Sequence, residues 1–147
     1  MTRPRVKSAA TVVAGAVAAV LLAGCGGQSP YCAAIEEHAD ELNSFGKTRT
    51  DAAYTSYAKA FRAVAAESPA SVKDDWTALA DVTDGVLAAQ DEVGLPLEDM
   101  ADEDVVADLE EGQLSTLNEA YESFNDTAAQ RDAVVKNAKT ECEITLK

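Results

Sequence analysis

Along most of this chain, apolar residues return at steps of three and four with acids between them, the period of helices that bury one face. The first such stretch is Tyr31, Cys32, Ile35, Ala39, Leu42 and Phe45, with Glu36, Glu37, Asp40 and Glu41 largely opposite. Ser29-Pro30 supplies an N-cap and a proline at the first helical position, and Gly46 a stop, so the spacing predicts a helix over 30–45. A second helix starts at Thr50 or Asp51, buries Tyr54, Tyr57, Ala58, Phe61, Val64 and Ala65, and wets Lys59 and Arg62. Ser68-Pro69 repeats the capping device and opens a third, whose stripe includes Val72, Trp76, Leu79, Val86 and Val93. Gly85 weakens that helix by about 1 kcal/mol relative to Ala without breaking it, and Gly94-Leu95-Pro96 ends it. The last helix opens at Ser115 or Thr116, with Thr116 and Glu119 at capping-box spacing. Its stripe of Leu117, Tyr121, Phe124, Ala128, Val135, Ala138 and Cys142 is interrupted only by Arg131.

Between the third and fourth helices lies a long acidic connection, 97–113. Within it Asp102 caps a short helix through Val105, Val106 and Leu109, closed by Gly112. The expected fold is all-α: an antiparallel four-helix bundle, up-down-up-down, with this connection between helices three and four. Residues 30–147 make its single domain, and 25–29 a flexible tether.

The N-terminus follows another pattern. Arg3, Arg5 and Lys7 precede an apolar run from Ala9 to Ala23 that is too short for the roughly 30 Å hydrocarbon core. This is the layout of a signal peptide over 1–24. At its end Leu22-Ala23-Gly24-Cys25 resembles the lipobox of bacterial lipoproteins. With the Ala/Val-rich signal, an early Tyr31-Cys32 and a late Glu141-Cys142, the whole resembles small lipoproteins of high-GC Gram-positive bacteria. The resemblance implies diacylglyceryl modification of Cys25, cleavage before it, and attachment to the bilayer on the extracytoplasmic face of the cell membrane. Two acyl chains anchor stably, where one gives marginal binding. The competing readings are an ordinary secretory signal and an uncleaved spanning helix.

Charge narrows the partners. Losing the three basic residues of the leader moves the formal net charge from −14 to −17, which repels nucleic acid and anionic lipid head groups. From Asp74 to Gln130 there are seventeen acids and no Lys or Arg. The acids of the connection, Glu98, Asp99, Asp102, Glu103, Asp104 and Asp108, form a candidate surface for a basic protein or peptide, or for calcium. The bland reading is a solvated face, and Asp102-Glu103-Asp104 lacks the glycine and spaced ligands of an EF-hand.

With Cys25 lipidated, Cys32 and Cys142 remain as an even pair in an oxidising compartment, which predicts a disulfide. The alternative is a reactive or metal-binding pair, but neither cysteine has a CxxC partner or a nearby His. In an up-down-up-down bundle those two positions meet at one end, so pairing and topology predict each other. Cys32 follows Cys25 by only seven positions, a reach of about 25 Å, so that end is expected to face the membrane and the acidic connection to face away.

No catalytic group stands out. His38 is the only histidine, sits beside the first stripe, and has no clustered ligands for zinc. No serine lies in a nucleophile elbow. No residue set calls for a metal or a cofactor. Tyr31, Tyr54, Tyr57, Phe61, Trp76, Tyr121 and Phe124 are read as core before they are read as the lining of a pocket. The expectation is a monomeric, non-enzymatic binding or scaffolding module presenting its acidic distal end. A small-molecule carrier with an aromatic-lined pocket is the alternative, and a carboxylate-based enzyme ranks below it.

Overall fold

A computed structural model describes residues 28–147, and its regular structure is helical throughout. The helices are α1 (Pro30–Glu37), α2 (Ala39–Ser44), α3 (Asp51–Glu67), α4 (Ala70–Val93), α5 (Glu103–Ala107), α6 (Glu111–Asn125) and α7 (Ala128–Cys142), with a 3-10 turn at Leu97–Ala101. The all-α class holds. Leu22-Ala23-Gly24-Cys25 and the apolar run before it lie outside the described residues.

The two central helices form where the periodicity puts them. Thr50 caps α3 by accepting the Ala53 N–H at 3.2 Å. α4 runs unbroken through Gly85 and ends at Gly94, whose φ of 70° makes the left-handed turn. Joined by only Ser68 and Pro69, α3 and α4 pack against each other as a helical hairpin. Ser68 does not cap α4, however. Its hydroxyl turns back to donate to the Val64 carbonyl at 2.7 Å.

The outer helices differ from expectation. The helix expected over 30–45 is interrupted at His38 (φ −104°, ψ 16°), giving α1 and α2, each packed on α3. Helices of eight and six residues are marginal alone, and both depend on their packing against α3. The last helix starts earlier than Ser115: Gln113 accepts the Glu110 N–H at 2.9 Å, and α6 begins at Glu111. Gly112 therefore lies inside a helix instead of closing one, whereas Asp102 does cap α5, accepting from Asp104 N–H and Val105 N–H.

A second interruption falls at Asp126–Thr127. The buried Thr127 hydroxyl donates to the Phe124 carbonyl at 2.7 Å, offering the backbone an alternative to the helical ladder. The stripe changes phase there. Val134 is 3% exposed and Val135 39% exposed, the reverse of a continuous repeat.

The main core gathers Ile35, Val64, Trp76, Leu79 and Val86. A smaller cluster of Ala89, Val93, Leu95 and Leu117 lies beneath the acidic connection, with Val106 and Leu109 packed on it. Cys32 and Cys142 stand at disulfide distance, Sγ to Sγ 2.04 Å. Ser29, Tyr31 and Glu141 share a cleft with Glu67 and Pro69, so the start of α1, the end of α3 and the end of α7 meet at one end. At the opposite end of α3 the Asp51 N–H donates to the Glu98 carboxylate at 3.1 Å, and Asp51 accepts the Leu97 N–H at 3.0 Å. At 1.5 Å per residue, the seventeen residues of α3 separate these ends by about 25 Å.

Candidate functional site

Phe45 carries the key geometry. The chain turns at Gly46, with φ of 75°, and leaves the Phe45 ring edge-on to Tyr57 and Phe61 at centroid distances of 5.4 and 4.9 Å. Phe124 stands 5.4 Å away from the α6 side, and Phe61 meets Trp76 of α4 at 6.0 Å. These spacings suit edge-to-face and tilted aromatic pairs. Beside these largely buried rings the surface is indented and half open to solvent. A cavity of about 290 Å³ remains between α2, α3, α4, α6 and α7, lined mainly by Phe45, Phe61, Trp76, Leu79, Phe124 and Val134.

One wall of the cavity is the segment after α7. Glu143 adopts the left-handed conformation (φ 60°) and reverses the chain, and the Ile144 N–H donates to the Ala138 carbonyl at 3.3 Å. Lys139 Nζ donates to Thr145 Oγ1 at 3.0 Å, and the Lys147 N–H to Asn43 Oδ1 of α2 at 2.7 Å. Leu146 is thereby buried against the cavity. The exposed lining residues Gly46, Val135 and Lys147 mark its opening.

The charged groups of the lining are Arg131 and Lys147. Among the described residues the ion pairs are those of Arg62 with Asp81 and Asp84, so neither lining cation is paired. Arg131 reaches only the Asn125 carbonyl, at 3.5 Å. Arg131 and Val135 also border a second, shallow cleft with Asp132, Lys136, Lys139 and Thr145.

Trp76 closes the cavity toward the disulfide end. Its indole N–H donates to the Tyr31 hydroxyl at 3.2 Å in a buried pair. Burial raises the Tyr31 phenol above its ordinary value; the Trp76 hydrogen bond pulls the other way and the Glu141 carboxylate adds to the rise. Tyr54 and Tyr121 are raised as well, again chiefly by burial.

Of the aromatics singled out in the sequence, Phe61, Trp76 and Phe124 line the cavity, while Tyr31, Tyr54 and Tyr57 are buried core. Phe45 sits on the first stripe and Arg131 breaks the last one; a cation inside an apolar repeat was the signal for the site. Lys147, Leu146 and Asn43 carry no pattern that could have placed them. Of the six acids singled out, Glu98 binds the Asp51 N–H and Asp102 caps α5, so two are occupied as helix caps. Asp99, Glu103, Asp104 and Asp108 are exposed. Among the described residues no three His, Cys, Asp or Glu side chains converge as a metal-ligand set. No helix of the described residues is long and apolar enough to cross a membrane. No protein-family model, curated protein or solved structure matches the chain.

Proposed function

We propose that this chain is an extracytoplasmic lipoprotein, held at the cell membrane by an acylated Cys25, that binds a small apolar molecule without transforming it. The observation that carries the reading is the apolar cavity walled by Phe45, Phe61, Trp76 and Phe124. Well-packed interiors leave few voids larger than a water molecule. A solvent-reachable cleft with an apolar floor and a few polar groups at its rim is the usual form of a small-molecule site. The volume, about 290 Å³, lies at the lower edge of the ligand-pocket range.

We read the fold as an up-down-up-down bundle in which α1 with α2, α3, α4, and α6 with α7 are the four legs. The packing of α3 on α4, of α4 on α6 and α7, and of α1 on α3 and α7 supports this. The Cys32–Cys142 pair then stands at the membrane-proximal end, within about 25 Å of Cys25 along the chain. The exposed Asp99, Glu103, Asp104 and Asp108 at the other end keep the domain soluble and off the anionic bilayer surface.

The chain has one tryptophan, and it lines the cavity. Full-length protein in zwitterionic nanodiscs, titrated with ω-bromodecanol, reports occupancy directly because bromine quenches an indole it touches. Saturable quenching of Trp76 is expected, and quenching equal to that of free tryptophan analogues in the same nanodiscs would end this reading. Retention of label from a radioactive fatty acid in wild type, and its loss in Cys25→Ala, checks the anchor.

A further inference from the structure

We infer that the cavity takes a single-chain amphiphile with an anionic head, the tail lying among Phe45, Phe61, Trp76 and Phe124 and the head held by Arg131 with Lys147 at the opening. This rests on the reading of the cavity as a ligand site and names the class of ligand.

Three observations carry it. The first is shape. At roughly 30 Å³ per small group, the volume of about 290 Å³ holds about ten methylene-sized units, an alkyl chain of medium length rather than a folded lipid. The second is the placement of charge. From Asp74 to Gln130 there are seventeen acids and no cation, yet from Arg131 to Lys147 four cations face three acids. The acidic bias of the preceding segment therefore ends on the elements that border the cavity opening. The third is the state of those cations. Arg131 and Lys147 line an apolar cavity without an ion pair among the described residues. A guanidinium offers a planar fork of donors that matches a carboxylate or phosphate. Lys136 and Lys139 share the adjoining cleft with Arg131 and with one acid, Asp132, so cations outnumber acids three to one beside the opening.

A neutral ligand of the same length leaves this arrangement unused, and a cationic one is repelled by it. Segment 143–147 fits the same picture. It carries Leu146 into the cavity wall and Lys147 to its rim, where the Lys147 N–H donates to the Asn43 side-chain oxygen.

The test compares ω-bromodecanoate, ω-bromodecyl phosphate, ω-bromodecanol and a bromodecyl trimethylammonium salt against the full-length chain in zwitterionic nanodiscs, read by Trp76 quenching. The anions are expected to bind at least tenfold tighter than the alcohol, and the cation weakest. Whichever anion leads assigns the head as a free carboxylate or a lipid-type phosphate. Arg131→Gln and Lys147→Gln are each expected to weaken the anions about fivefold, the size of an exposed ion pair, and to leave the alcohol unchanged. Added salt should narrow the gap between anion and alcohol. Equal affinity for alcohol and anion, or anion binding untouched by both substitutions, overturns the anionic head while leaving the cavity as a site. Failure of every probe overturns the cavity reading itself.

Discussion

Trp76 and Tyr31 form a buried pair in which the indole N–H donates to the phenol oxygen at 3.2 Å, fastening the wall of the cavity to the first turn of α1 beside Cys32. Tyr31→Phe keeps the ring volume and removes the acceptor. A buried donor left without a partner costs about 1–3 kcal/mol, so urea unfolding of the disulfide-intact protein is expected to show a loss of that size. An unchanged midpoint would show that the indole finds another acceptor.

The same phenol makes stability depend on alkaline pH. Tyr31, Tyr54 and Tyr121 are all raised above the ordinary value of 10.0 by burial, so the folded state holds their protons more tightly than the unfolded chain. Below pH 10 both states are protonated and stability is at its full value. It falls as pH rises from about 10 through the raised values, where only the unfolded chain has lost the proton. Urea midpoints measured between pH 8 and 11 should be flat and then decline, and Tyr31→Phe should decline less steeply above pH 10.

Filling the cavity should stabilise the protein and abolish its binding. Val134 is buried on α7 and lines the cavity, so Val134→Phe places a ring in open space. A gain of about 1 kcal/mol is expected in thermal unfolding, together with loss of Trp76 quenching by ω-bromodecanol. A drop in stability would mean that the walls have no room to give.

The acidic connection contributes to stability through one of its carboxylates. Glu98 accepts the Asp51 N–H at the start of α3, where a negative group also complements the helix dipole. Glu98→Ala is expected to lower stability by about 0.5–1 kcal/mol, while Asp99→Ala, exposed and without such a contact, stays within about 0.5 kcal/mol of wild type. Equal effects of the two substitutions would show that net charge, not the cap, matters.

Periodicity, caps and prolines determined the helical class, both central helices, and the Ser29, Thr50 and Asp102 caps, because each depends on residues within one or two turns. The expectation that Cys25 is taken up elsewhere left Cys32 and Cys142 as a pair, and the structure brings those two to disulfide distance. Tertiary structure decided the interruptions at His38 and Thr127, since those rest on what each helix packs against and on a side-chain hydroxyl competing with the backbone. That second interruption turned Val134 inward and Val135 outward and brought Arg131 to the cavity opening. The cavity itself was beyond the sequence. Aromatic residues at helical spacing fill a core or leave a cleft beside it, and only the tertiary distances among Phe45, Phe61, Trp76 and Phe124 decide which.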